Sequence, residues 1–236
     1  MNVRLPVLTP CTFQGVPAVP TEMAGVRQAQ PSSGIPRQTA AVAAVGLAIS
    51  RLSEFRSRSR RRAIMWYDEM EPLAEITKKV YMDVCTSGKP LGRIVFGLYA
   101  DLVPKTAENF RAICCGEKGL SYEGSSFHRI FWDFMVQGGQ TEGGSKSIYG
   151  ASFEDEQSGL DLYHERPGLL GMANSGPDSN SCQFYITTAK AEWLDGEHVI
   201  FGEVLEGKDV VLAIEKCATQ SGDPSMEITV AACGEL

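Results

Sequence analysis

From residue 80 to its end, the chain consists of short stretches in which apolar and polar residues alternate, separated by turn residues. Such alternation is typical of strands that bury one face. Residues 80–84 and 92–99 both follow the pattern, and a Ser-Gly-Lys-Pro turn signal at 87–90 lies between them. We therefore predict that these two stretches form a β-hairpin.

Further short apolar stretches follow, and Gly-rich or polar residues separate them. We predict a strand for each of residues 126–130, 134–137, 168–172, 183–188, 198–204 and 227–232.

Two segments have helical rather than strand periodicity. In residues 101–116, Pro104 suits a first helical turn, and Ala107, Phe110 and Cys114 fall on one face. Residues 208–216 also carry apolar residues at helical spacing. Two helices among about eight short strands favour a mainly β fold, a small antiparallel barrel capped by helices, over a parallel α/β sheet.

Composition supports a folded body of ordinary type. The chain has 236 residues, of which 43 % are hydrophobic. This content is enough for a packed core. It excludes a collagen, a disulfide-stapled miniprotein and a wholly disordered chain.

The net charge of −7 hides an uneven distribution. Residues 1–62 contain nine arginines, no lysine and two glutamates, so this segment carries +7. Residues 63–236 contain 13 basic and 27 acidic residues, and so carry −14. Phosphate affinity comes from Lys and Arg, so we expect no nucleic-acid binding by the mature domain.

The basic segment at 1–62 has the composition of an organelle transit peptide, rich in Arg, containing Ser and poor in acidic residues. An apolar run at 39–50 would be about 18 Å long as a helix, which is too short to cross a bilayer. It is either the amphipathic part of a transit peptide or a second signal that directs the protein onward. We interpret 63–78 as a linker and 79–236 as the folded domain.

The RSRSRRR sequence at 56–62 has three interpretations. It is the end of the transit peptide, a nuclear-localisation or RNA-binding arm, or a solvated tail.

The seven cysteines and three histidines do not form a metal-binding pattern, and no Cys-x-x-Cys spacing occurs. Neither a zinc module nor a secreted disulfide framework is indicated. We interpret the cysteines as mostly buried or half-buried free thiols, with a regulatory pair as the alternative.

Five motifs of the body resemble those of a known family. In chain order they are KTAENFRA (105–112), FHRI with FMVQGG (127–139), SIYGASFEDE (147–156), GMANSGPDSNSCQFYIT (171–187) and AEWLDGEHVIFGEV (191–204). On these motifs, residues 79–236 resemble a cyclophilin. The KKVYMDV lead and the ACGEL ending are most similar to plant and algal chloroplast members. The resemblance implies an eight-stranded antiparallel β-barrel capped by two α-helices, with peptidyl-prolyl cis–trans isomerase activity.

Isomerisation of an X–Pro bond requires a lower rotational barrier and little else. Amide resonance sets that barrier at about 18–20 kcal/mol, whereas cis and trans differ by only ~0.5–1 kcal/mol. In the twisted transition state the resonance is lost, and the prolyl nitrogen becomes more basic. A pocket for the Pro ring, a cation near that nitrogen and backbone hydrogen bonds to the peptide all stabilise this state. No nucleophile, metal or other cofactor is needed.

Arg129 is the candidate cation. Strand alternation alone places it on the same face as Phe127, as an ordinary surface arginine. The resemblance implies that Arg129 is the catalytic arginine and that Gln137 orients its guanidinium. An arginine fixed by an amide keeps several donors in a set geometry, which lysine could not reproduce.

The resemblance also implies the residues that bind substrate. Those expected to contact the Pro ring, the peptide backbone or the pocket rim are Phe134, Met135, Ala173, Asn174, Gln183, Tyr185, Trp193, Leu194 and His198. Because Trp193 matches the Trp of members that bind cyclosporin, we expect cyclosporin binding. Phe134 and Met135 would point in opposite directions on a strand, so one of them faces the core unless the strand ends there.

Two features depart from the family pattern. Tyr185 stands where the family usually has Phe, and its hydroxyl must find a partner if it is buried. The loop at 140–145 is several residues shorter than usual, so we carry over no contact residue from it.

The resemblance also bears on the cysteines. Cys114 lies where plant members often have a cysteine, and some chloroplast members are switched by disulfides. We therefore hypothesise one redox-active pair that involves Cys114 or Cys217, with free thiols as the alternative.

Together these observations predict an organellar prolyl isomerase that assists the folding and assembly of client proteins. Its partners would be proline-containing peptides and clients, and we expect a monomer, as is usual in the family. One alternative is a cyclophilin domain that serves as a binding or assembly subunit of a large organellar complex, with catalysis secondary. Another is a nuclear or RNA-linked cyclophilin. We expect the chloroplast stroma, with the thylakoid lumen and the mitochondrion as alternatives.

Overall fold

The computed structural model describes residues 70–236. The predicted transit peptide and the first part of the predicted linker therefore lie outside the described residues. Among the described helices, none is long and apolar enough to cross a membrane.

The chain enters the sheet through the predicted hairpin, which is confirmed. Strand β1 (Lys78–Thr86) pairs antiparallel with β2 (Lys89–Leu98). Ser87 and Gly88, between the strands, both have positive φ, 47° and 75°. This is the backbone twist that a two-residue hairpin requires, and glycine supplies half of it without strain.

Six more strands complete an antiparallel sheet of eight. They are β3 (Arg129–Phe131), β4 (Met135–Gly138), β5 (Leu169–Met172), β6 (Phe184–Thr187), β7 (Ile200–Glu206) and β8 (Ile228–Glu235). Their order across the sheet is β3-β4-β6-β5-β7-β2-β1-β8. The predicted mainly β fold is therefore confirmed.

The two edges of this curled sheet are joined by the residues that precede β3. The Phe127 amide donates to the Ile228 carbonyl at 3.0 Å, and the Val230 amide donates to Ser125 at 2.9 Å. The segment before β3 is thus hydrogen-bonded to β8, the strand at the opposite edge. This closure leaves little unpaired edge, which is how barrels avoid strand-to-strand aggregation.

Within residues 70–236, three α-helices accompany the sheet: α1 (Pro104–Cys114), a four-residue α2 (Gln157–Leu160) and α3 (Lys208–Glu215). The two longer ones were predicted. Helix α1 begins at a proline, and Glu156 accepts from the amides of Lys105 and Thr106 at 3.1 and 2.7 Å. A carboxylate from a distant loop therefore caps the positive end of α1.

The face of α1 that periodicity predicted is buried in the barrel. Phe110 is fully buried, and its ring packs against four others, those of Phe96, Tyr122, Phe184 and Phe201, at centroid distances of 5.1–5.7 Å. These rings come from α1, three strands and the loop after α1. Edge-to-face and tilted arrangements of this kind add to the stabilisation from burial alone.

The end of the predicted linker packs on the barrel. Ile76 lies directly over Gly97 of β2, where a Cβ atom would come within 2.8 Å of it. The Thr77 amide donates to Leu98, and Arg166 donates to the Glu71 carbonyl at 2.8 Å. Residues from Glu71 onwards therefore contribute to the packing of the body. The sequence did not indicate this, because so short a segment has no periodicity to read.

Phe110→Ala should lower the free energy of unfolding by about 3–5 kcal/mol, because it removes a ring that contacts four others and leaves a cavity. Urea unfolding followed by circular dichroism measures the change. Phe110→Leu, which keeps most of the buried volume, is the control and should cost less. Equal stability of the Ala variant and the unmodified chain would contradict this account of the core.

Candidate functional site

One row of side chains crosses four strands on the face opposite the core. Arg129 pairs with Gln137, Gln137 with Tyr185, and Tyr185 with Gly171, across β3, β4, β6 and β5. Residues paired in this way point to the same face of the sheet. The register therefore brings together Arg129, Gln137 and Tyr185, which were predicted for the site.

Arg129 is exposed, and its guanidinium lies over the ring of Phe131, 5.1 Å from the ring centroid. This cation–π contact limits the freedom of the side chain without consuming its donors. The expectation that Phe127 shares the face of Arg129 is wrong, since Phe127 is only 1 % exposed and belongs to the core. Strand β3 begins at Arg129, so the alternation does not extend back to Phe127.

Gln137 belongs to a chain of amides beside the arginine. Its Nε2 donates to Gln183 Oε1 at 2.9 Å, and Gln183 Nε2 donates to Ser145 Oγ at 2.7 Å. The amide of Gln137 is therefore fixed by Gln183, and its orienting effect on Arg129 stays a prediction. Ser145 lies in the loop at 140–145, from which the resemblance supplied no contact residue.

Two of the residues predicted to bind the Pro ring lie at the start of β4. Met135 is the first residue of β4, and as the second neighbour of Gln137 it faces the site row. Phe134 precedes the strand and is half-buried, so it need not point into the core. Its ring lies 5.2 Å from that of Trp193 and 6.3 Å from that of Phe131. Both adjacent side chains can therefore line one pocket.

The opposite wall comes from a single turn of 3₁₀ helix, Glu192–Leu194. Leu194 is half-buried, whereas Trp193 is 63 % exposed. An exposed ring that packs at a tilt against Phe134 forms an apolar rim, suited to contact with a ligand.

Ala173 and Asn174 follow β5 and mark the rim farther along. The Ala173 amide donates to the Gln183 carbonyl at 3.0 Å, and Asn174 Nδ2 donates to the Glu197 carbonyl at 2.8 Å. This extended backbone therefore lies beside Gln183. It was predicted to hydrogen-bond a bound peptide.

His198 lies beside Tyr185 of the site row. Its Nδ1 is 3.0 Å from the Met172 carbonyl, so Nδ1 carries the proton and donates. Its ring meets the Tyr185 ring edge-to-face at 5.6 Å. A backbone hydrogen bond thus orients His198, and its ring packs against Tyr185, which forms the floor of the pocket.

The Tyr185 hydroxyl has a partner, as burial requires. Tyr185 is 4 % exposed, and its oxygen lies 2.6 Å from Nε2 of His164, which is fully buried. His164 Nδ1 lies 2.8 Å from Asp195 Oδ1. Burial raises the pKa of Tyr185 well above its ordinary value. Burial also lowers the pKa of His164, and Asp195 partly opposes this shift.

Sequence reasoning missed both His164 and Asp195. The one usable signal was the tyrosine itself, since a buried hydroxyl implies a partner somewhere in the fold. Nothing in the spacing identified that partner.

The predicted redox cysteines occupy different surroundings. Cys114 is buried at the end of α1, and its thiol interacts with that of Cys233 on β8. Burial raises the pKa of Cys114, whereas the neighbouring Cys114 thiol lowers the pKa of Cys233. The Cys217 thiol instead donates to the Ala213 carbonyl at 3.8 Å. A thiol pair is therefore present at Cys114, with Cys233 as its second member.

Comparison with known protein families agrees with this geometry. The family model of cyclophilin-type peptidyl-prolyl cis–trans isomerases matches residues 81–235, nearly all of the described chain. The eight-stranded antiparallel fold is that of the same family. The chain belongs to the cyclophilin family and is a peptidyl-prolyl cis–trans isomerase that acts on proline-containing peptides.

Proposed function

We propose that this isomerase works in an organelle, most simply the chloroplast stroma, where it assists the folding and assembly of client proteins, with Arg129 as its catalytic cation. The observation that carries the catalytic part is the position of Arg129. Its exposed guanidinium stands in the same row as Gln137, beside the apolar pocket around Phe134 and Met135.

The roles of the residues follow from the chemistry of a twisted amide. Phe134, Met135 and Leu194 hold the prolyl ring, so that rotation moves the preceding carbonyl rather than the ring. Arg129 donates a hydrogen bond to the prolyl nitrogen as its lone pair becomes available. That bond exists only in the twisted transition state. It therefore lowers the rotational barrier of the bound peptide, rather than stabilising ground state and transition state equally.

The remaining site residues hold the peptide in place. The backbone at Ala173 and Asn174 pairs with the extended peptide, and Trp193 and His198 close the rim. The amide chain from Gln137 through Gln183 to Ser145 fixes the polar side of the groove at distances of 2.9 and 2.7 Å. Because such a groove reads proline and backbone, it suits many clients. The exposed Trp193 also supports the proposal that the domain binds cyclosporin.

Replacing Arg129 with Ala should lower kcat/KM for a proline peptide by about a hundredfold or more, the usual effect of removing a transition-state donor. A protease-coupled isomerisation assay measures it. Arg129→Lys should recover little of the loss, because lysine lacks the planar fork.

The matched control for this experiment is Arg93→Ala. Arg93 lies on β2 and bonds Asp83 at 2.7 and 2.8 Å, five strands along the sheet from β3. Its loss should leave kcat/KM unchanged. An unmodified chain as slow as the Arg129→Ala variant would favour the alternative, a binding or assembly subunit.

The organellar part of the proposal rests on the composition of residues 1–62. Import into isolated chloroplasts should remove the basic segment, with the mature N-terminus falling near residues 62–66. N-terminal sequencing of the imported protein measures this, and a chain that lacks residues 1–62 should not be imported. A mature protein that keeps residues 56–62 would favour the nuclear or RNA-linked alternative.

We also propose that the redox-active pair is Cys114 with Cys233. The lowered pKa of Cys233 favours its thiolate, which can attack a small disulfide oxidant, release one thiol of the oxidant and form a mixed disulfide. Cys114 then attacks the Cys233 sulfur, loses its proton and releases the second thiol, so that the two cysteines are oxidised and the oxidant is reduced to two thiols. Strand β8, which carries Cys233, hydrogen-bonds the residues that lead into β3 and Arg129. A shift of β8 on oxidation can therefore reach the catalytic row.

Oxidation of the unmodified chain by a small disulfide should lower isomerase activity reversibly, and a dithiol should restore it. Cys233→Ser should abolish this response. Cys217→Ser is the matched control and should keep it. Thiol titration alongside the assay counts the thiols consumed. Identical activity in the oxidised and reduced states would refute the proposal.

A further inference from the structure

We propose that His164 is a positioning residue, which ties the floor of the proline pocket to its wall through Tyr185 and Asp195. The inference rests on the site proposed above and adds two residues to it. Neither His164 nor Asp195 has a role in the chemistry described so far.

On the wall side, His164 is fastened to the segment that carries Trp193 and Leu194. The His164 amide donates to Asp195 Oδ1 at 2.7 Å, and the His164 carbonyl accepts from the Ala191 amide at 2.8 Å. Its ring Nδ1 also bonds Asp195 Oδ1, at 2.8 Å. Three hydrogen bonds therefore bracket the one-turn helix between Ala191 and Asp195.

On the floor side, the other ring nitrogen reaches the Tyr185 hydroxyl at 2.6 Å. A carboxylate can only accept, so Nδ1 carries the proton of the neutral ring and Nε2 is left as an acceptor. Tyr185 must then donate to His164. The direction of every bond from Tyr185 through His164 to Asp195 is thus fixed.

The tyrosine ring has little room to leave this position. A Cβ atom on Gly171 would come within 2.3 Å of the ring carbon and the hydroxyl oxygen of Tyr185. The ring therefore lies directly over a glycine, with His198 against its edge at 5.6 Å. The hydroxyl, the missing side chain and the two histidines together set the tilt of the ring.

If these hydrogen bonds are lost, we expect the binding of a proline peptide to be impaired rather than the chemical step. Tyr185 stands between Gln137 and Gly171 in the site row, so its tilt shapes the floor beneath the prolyl ring. Asp195 follows Leu194 directly, so the hydrogen bonds between His164 and Asp195 also fix the position of Trp193 and Leu194, which form the wall of the pocket. Arg129 lies two strands from Tyr185 and is not bonded to it.

The charged and titratable groups that face His164 are Asp195, Tyr185 and His198. Because burial outweighs the pull of Asp195, the pKa of His164 is lowered, and the ring is neutral at pH 7. A second proton would turn Nε2 into a donor, and Tyr185 could then no longer donate to it. An unfolded histidine takes up that proton near pH 6.5, so His164 should make the fold less stable as the pH falls below about 6.5.

The test uses Tyr185→Phe, His164→Asn and the double variant in the full chain. Asn keeps a donor near Nδ1 for Asp195 but has no atom at Nε2. Each single variant should raise KM for a proline peptide roughly three- to tenfold, the usual worth of one hydrogen bond, with kcat much less affected. The double variant should be no worse than the worse single one, because both break the same link. Additive effects, or an unchanged KM for Tyr185→Phe, would overturn the proposal.

Two further measurements distinguish a positioning role of His164 from a general loss of folding in the variants. Nitrogen NMR of the unmodified chain should show His164 as the Nδ1–H tautomer, and the Nε2–H tautomer would overturn the proposal. KM of the unmodified chain should rise once the pH falls below the lowered pKa of His164, which lies under the ordinary histidine value of about 6.5. This rise should shrink in His164→Asn, which keeps His198. The Arg129→Ala variant tests the proposed catalytic site separately. An unchanged kcat in that variant would refute the catalytic role of Arg129, whereas the KM effects of the Tyr185 and His164 variants test only the positioning role of His164.

Discussion

The site depends on one strand register, the pairing that places Ile130, Val136, Ile186 and Leu170 in a single row across four strands. All four side chains are fully buried in the core. Because strand side chains alternate, the next row along must face outward, and it consists of Arg129, Gln137, Tyr185 and Gly171. A slip of one residue would put the arginine in the core and leucine or isoleucine on the surface. Burial of an aliphatic row thus fixes the position of the polar one.

The sheet supplies only one side of the pocket, and short irregular segments supply the other. These segments are held by specific hydrogen bonds rather than by a continuous ladder. The one-turn helix at Glu192–Leu194 is bracketed by hydrogen bonds to His164, and the loop at 140–145 is attached at Ser145 through Gln183. Such attachments matter because a loop without them would lose conformational entropy each time a peptide binds.

The sequence was most informative where the physics is local and periodic. Alternation predicted the hairpin, and helical spacing predicted the buried face of α1 around Phe110. The alternation pattern failed where a strand begins later than the pattern predicts, as at Phe127, which precedes β3 and is buried. It was silent on contacts between residues far apart in the chain. His164 meets Tyr185 across 21 positions, and Cys114 meets Cys233 across the fold. No local pattern encodes such contacts, because tertiary packing alone creates them.

Tyr185 shows why a single side chain is a poor unit for judging a site. A phenolic hydroxyl buried at this depth would be costly without a partner, and a ring of this size would collide with any side chain at position 171. Tyrosine is tolerated here because position 171 is glycine and His164 offers an unprotonated nitrogen. The glycine and the histidine therefore form one structural unit with the tyrosine. Substitution of any one of the three changes the environment in which the other two must be judged.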